Sequence, residues 1–187
     1  VITEQQQFAR SFAAYGFRLF GVVSLVFFMV GYVRRCFENR DIEYLLSRPM
    51  GRIKFIMTHA AAFSFLGVIA ALILGGTTML LEIGSPNYHG ALVWWLSLGA
   101  EFIIMANVAM FFAFVMSSAT ACMLVVFAFY LLSRLMGEIL GILQKSSDGL
   151  FAVLGKTMEV ISIFIPRLDL MGQTKWILYG APADISI

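Results

Sequence analysis

The chain has 187 residues, of which 60% are hydrophobic and 13% charged, and its net charge is +2. Soluble domains carry about 25% charged residues, so a water-soluble globule is set aside and a lipid bilayer is indicated as the solvent. The small net charge sets aside nucleic acid as a partner. Cys36 and Cys122, with His59 and His89 far apart, suggest neither a disulfide framework nor a His/Cys metal cluster.

In chain order, the first apolar run is Ser11 to Val33, 23 residues interrupted only by Arg18. At about 1.5 Å per residue this crosses a hydrocarbon core of about 30 Å. A polar island follows, residues 34–54. The second apolar run, Phe55 to Leu81, has 27 residues and no formal charge. "EIGSPNYHG", Glu82 to Gly90, reads as a loop from its Gly, Ser, Pro and Asn. Ala91 to Ser133 is 43 residues with one charge, Glu101. One helix of that length measures about 65 Å, twice a bilayer, so the run has to fold back. "SSAT", Ser117 to Thr120, is the predicted turn, giving spans over 94–116 and 119–133. The remainder, 134–187, reads as interfacial or re-entrant helices on the outer side, with Trp176 and Tyr179 as headgroup-level anchors. The expected fold is thus an all-α polytopic membrane bundle with four spans, about 11–33, 55–81, 94–116 and 119–133, in a single domain. The chain begins at Val1 and shows no basic leader with a cleavage site, so it is read as a piece of a longer protein.

The island holds six of the thirteen Lys and Arg residues: Arg34, Arg35, Arg40, Arg48, Arg52 and Lys54. The positive-inside rule places it in the cytoplasm, with both ends of the chain outside. Glu38, Asp41 and Glu43 lie among these bases, and Phe37, Ile42, Tyr44 and Leu45 share a side of a helical wheel into which Asp41 intrudes. Arg48 precedes Pro49 and is biased out of the helical region, and Gly51 adds freedom to a turn. One reading of the island is topogenic, with bases that flank a membrane hairpin and only set its orientation, and such a loop needs only the bases. Acids, an apolar stripe and a Pro turn together read as a surface helix that docks a protein.

"ENRDIEYLLSRPMGRIKFIMTH" resembles the first cytoplasmic loop of ABC type-2 transporter permeases, in which an acid is followed after about ten residues by Leu-Leu-Ser-x-Pro, two residues and an Arg. Leu45, Leu46, Ser47, Arg48, Pro49 and Arg52 match that pattern. "YGFRLFGVVSLVFFMVGYV" is similar to the family's second span, and "FIPRLDLMGQTKWILYG" to its outer segment before the last span. Only the loop is specific, and it departs from the pattern at Cys36, where the family often has Glu; Glu38 is the nearest acid. The resemblance implies the second to fifth spans of a six-span permease in a bacterial inner membrane. It implies pairing with a second permease subunit and binding to a cytoplasmic ATPase that carries the ATP and Mg. It makes Glu38, Asp41, Glu43, Leu45, Leu46, Ser47, Arg48, Pro49 and Arg52 the ATPase-coupling residues.

Within the spans, Glu101 lies two turns from the Trp94–Trp95 pair, inside the hydrocarbon zone if those residues mark the interface. An intramembrane acid is costly and is often functional. Arg18 either pairs with it or snorkels outward. Asn107 is placed to hydrogen-bond between helices. Arg18, Glu101 and Asn107 are therefore candidates for a substrate pathway. Arg134 and Glu138, four apart, are a structural pair at the outer end of the fourth span. Gly75, Gly76, Gly99 and Ala60 to Ala62 are small-residue packing faces. The chain has no Gly-x-x-x-x-Gly-Lys-Ser/Thr loop, Gly-x-Ser-x-Gly or His-Glu-x-x-His, so no enzymatic activity, metal or cofactor is expected in it. The expected function is an ATP-driven permease, and an exporter by family tendency. The alternatives are a secondary transporter or channel, and a non-transporting polytopic scaffold.

Overall fold

The computed structural model describes residues 4–39, 51–81, 88–145, 166 and 168–171. They form four long helices, α1 (Glu4–Glu38), α2 (Arg52–Leu81), α3 (Tyr88–Val115) and α4 (Ala119–Lys145), and a 3₁₀ turn at Leu168–Leu170. Each long helix contains an apolar stretch sufficient to cross a bilayer: residues 11–38, 53–80, 88–115 and 119–137. The chain is a multi-pass helical membrane protein.

Local sequence explains the helix ends. Gly51 precedes α2 and its carbonyl accepts the first helical bond, from Phe55 N–H at 3.1 Å. Ser118 caps α4: its carbonyl accepts from Cys122 N–H at 3.0 Å and its hydroxyl from Ala121 N–H at 3.4 Å. The turn predicted at "SSAT" is thus present, confined to Met116–Ser118, and Ala119 and Thr120 already belong to α4.

Several boundaries differ from the sequence reading. Nothing in Arg34–Glu38 breaks a helix, so α1 runs through it and ends with Arg35 in its last turn, where the helix dipole favours a cation. The island is therefore divided, with 34–38 closing α1 and 52–54 opening α2. α3 begins at Tyr88, six residues before Trp94. α4 does not stop at Ser133 but continues to Lys145, so "GEILGILQK" belongs to the fourth helix and not to an outer interfacial one.

α3 is central and packs on each of the other three helices. Its inward stripe of Trp94, Leu98, Glu101, Phe102, Met105, Ala109 and Ala113 meets Val22, Val26, Met29, Val30 and Val33 of α1, with Cys122, Val126 and Tyr130 contributed by α4. These sets recur at three- and four-residue intervals, as a helix face requires.

α2 and α3 approach most closely at two glycines. A Cβ at Gly67 falls 3.2 Å from the carbonyl carbon of Phe102, so the two backbones are nearly in contact. At Gly75 a Cβ collides with the ring of Trp95, whose indole N–H donates to Ala71 O at 2.9 Å. This is small-residue packing of membrane helices. Gly75 was expected there. Gly76 has open space around it, and Gly67 was not singled out.

A candidate intramembrane polar site

Arg18 on α1 and Glu101 on α3 meet inside the bundle, with Nε to Oε2 at 3.0 Å and side-chain exposures of 2% and 0%. Of the two alternatives for Arg18, the structure selects the inward pair. Glu101 stands thirteen residues from Tyr88 and fourteen from Val115, with about 20 Å of helix on either side. A charge at that depth is expensive unless matched, and pairing reduces the cost.

α4 contributes the other members. Tyr130, which is buried, turns its hydroxyl toward the Glu101 carboxylate, short of an aligned hydrogen bond. Arg134, one turn on, donates through Nη1 to the carbonyls of Leu168 and Met171, at 2.5 and 3.0 Å. Arg18 Nη2 reaches the same Met171 carbonyl at 3.5 Å. Leu168 has no exposed surface, so this 3₁₀ turn returns into the bundle and seats on α4. Arg134 thus binds the turn, and the side chain of Glu138, its expected partner, lies outside the described residues.

Two further polar groups line these faces. Among the described residues, the Trp94 indole N–H and the Ser133 hydroxyl are buried without a hydrogen bond, whereas Glu101 is held by its ion pair with Arg18. Trp94 lies on the Glu101 stripe and Ser133 three residues from Tyr130.

Asn107 is not part of this centre. Its Nδ2 donates to Ser64 Oγ of α2 at 2.9 Å and to Ile103 O at 2.8 Å, joining α3 to α2. Among the described residues, no three His, Cys, Asp or Glu side chains converge.

Comparison with protein-family models, curated proteins and solved structures gives no match to this chain.

Of the residues assigned to ATPase coupling, Glu38 is the exposed last residue of α1 and Arg52 the first of α2. Asp41, Glu43, Leu45, Leu46, Ser47, Arg48 and Pro49 lie outside the described residues. The helices flanking them are tied by an aromatic collar. Phe37 of α1 and Phe55 of α2 both pack on Phe114 of α3, with centroids 6.0 and 6.3 Å apart. His59 packs at 4.2 Å on Phe55 with the rings tilted by 43°, and Arg34 lies 5.8 Å from the centre of the Phe37 ring. Phe37, part of the expected docking stripe, is partly exposed and also packs on the bundle.

Tyr130 and the Leu168–Met171 turn were missed. The available signal was Arg134, a cation in an apolar helix with no opposite charge in the preceding two turns.

Proposed function

We propose that the chain is part of the membrane-spanning permease subunit of an ABC type-2 transporter, resident in a bacterial inner membrane. In this reading the 40–50 segment faces the cytoplasm and docks on a separate ATPase, and a second permease subunit completes the pathway. The observation that supports the reading is the aromatic collar on the two helix ends that flank the Leu-Leu-Ser-x-Pro sequence. Phe37, Phe55, His59 and Phe114 bind the ends of α1 and α2 to α3. A push on the loop therefore does not bend one helix alone. It moves the ends of three helices together, and α3 carries that displacement to the Arg18–Glu101 pair. Such a linkage is what an ATP-driven carrier requires between its motor and its pathway.

The test replaces Leu45 and Leu46 together by Asp. The substitution removes apolar anchors at the docking surface and leaves all six basic residues of the island in place. Loss of interface anchors often costs about 2 kcal/mol or more, close to a 30-fold loss of affinity. The variant is expected to reach the membrane at the normal level, to lose co-purification with its ATPase and to stop stimulating ATP turnover. Full ATP-dependent transport by the variant contradicts the reading.

The Arg18–Glu101 pair favours a second reading, a carrier driven by an ion gradient. A buried carboxylate facing a tyrosine is the kind of group that exchanges a proton during transport. Transport that persists without ATP and collapses with the proton gradient selects it.

A further inference from the structure

The geometry points to a binding site for one anionic phospholipid in the groove between α1 and α2 at their basic end. The inference rests on the membrane spans alone, and it stands whether or not an ATPase is a partner.

The groove has a volume of about 390 Å³ and its walls are apolar, with Phe28 and Tyr32 on α1 facing Thr58, His59, Ala62 and Leu66 on α2. Thr58 to Leu66 is about 12 Å of helix, most of the depth of one leaflet of a 30 Å core. Two of its polar side chains, Thr58 and His59, bond carbonyls of their own helix. The Thr58 hydroxyl donates to Lys54 O at 2.8 Å, and His59 Nδ1 bonds to Phe55 O at 3.0 Å. The surface left for an occupant is hydrocarbon, which suits an acyl chain.

The charge above the groove sets the headgroup. Phe28, Tyr32 and Arg35 are spaced i, i+4, i+7 and share one stripe of α1; Lys54, Thr58 and Ala62 are spaced i, i+4, i+8 and share one stripe of α2. Each wall thus ends in an exposed cation about one turn beyond the groove, where a headgroup lies over its own acyl chain. The acid nearest to them among the described residues is Glu38, three residues past Arg35, against the cations Arg34, Arg35 and Lys54. Arg34 is held over Phe37, leaving Arg35 and Lys54 to meet a phosphate from both sides. Anionic headgroups are attracted to such clusters just outside a span.

The test is native mass spectrometry of the detergent-purified protein, with phosphatidylglycerol or phosphatidylcholine of identical acyl chains added in equal amounts. One phosphatidylglycerol per chain is expected to survive collisional activation that strips phosphatidylcholine, with at least a fivefold preference. Arg35→Gln with Lys54→Gln is expected to reduce that preference to about one. Ala62→Trp, which fills the groove from its lipid-facing side, is expected to lower retention of both lipids with the cations intact. Lys145→Gln, a cation at the opposite end of α4, is expected to change nothing. Equal retention of the two lipids by the unaltered protein overturns the proposal. So does a preference that survives the Arg35/Lys54 pair of changes, or retention unaffected by Ala62→Trp in a variant whose melting temperature matches the parent's.

Discussion

α2 and α3 are both apolar all round, without a dominant apolar face, yet 44% of α3's spanning stretch is buried and only 17% of α2's. Hydropathy therefore separates protein from water in this chain but does not separate the bundle interior from lipid, because lipid tails are as apolar as leucine. What separates them is whether a polar group can be satisfied within its own helix. On α2, Thr58, Thr77 and Thr78 donate to carbonyls three or four residues back. They demand no neighbour, and Thr58 and Thr77 are exposed. On α3, Glu101 has no such outlet and the Trp95 N–H goes to Ala71 of α2, while Asn107 Nδ2 bonds Ile103 O of its own helix as well as Ser64 of α2. Groups that cannot be satisfied locally pull their helix inward.

The largest expected effect is at the α3 carboxylate. Glu101→Leu keeps the volume roughly constant and removes the counter-ion of Arg18, which is 2% exposed. Breaking a buried pair from one side costs about 3–5 kcal/mol. Denaturant titration in detergent is expected to show a loss of that size, and a loss below about 1 kcal/mol breaks the contrast between the two helices.

The neighbouring glycines of α2 sharpen it within a single turn. Gly75→Leu drives a side chain into the Trp95 ring, and overpacking of this kind costs about 1–3 kcal/mol. Gly76→Leu points into open space and is expected to stay within about 0.5 kcal/mol. Thermal melts of the two variants side by side check this, and equal melting temperatures contradict it.

The smallest effect is expected on the lipid face. Ile73 of α2 is 63% exposed, and its truncation to Ala exchanges one apolar contact with lipid for another. The expected change is below about 0.5 kcal/mol by the same melts. A larger loss identifies a protein neighbour at that position.

The four spans were legible because a bilayer demands about twenty apolar residues in a row and this chain supplies them between charged breaks. The need for a turn followed from length, since 43 residues overshoot one crossing, and the polar "SSAT" at Ser117 to Thr120 gave its place. Arg18 with Glu101 was legible as an option, as each was the lone charge in its run. The course of α4 was not legible, because Arg134 looks like the end of a span unless the carbonyls of Leu168 and Met171 are known to meet it. Gly67 differs in nothing local from Gly76. Only the position of Phe102 makes the first a contact and leaves the second open.

The central claim is that a matched charge pair in the bilayer's interior organises the bundle around α3. A double-mutant cycle on Arg18→Gln and Glu101→Gln, read by denaturant titration in detergent, tests it most directly. Each single change is expected to cost several times more than a lipid-face substitution. The double variant, with neither charge left to bury, is expected to be more stable than the sum of the two predicts, by about 1–3 kcal/mol. Costs that add to within about 0.5 kcal/mol contradict the pair.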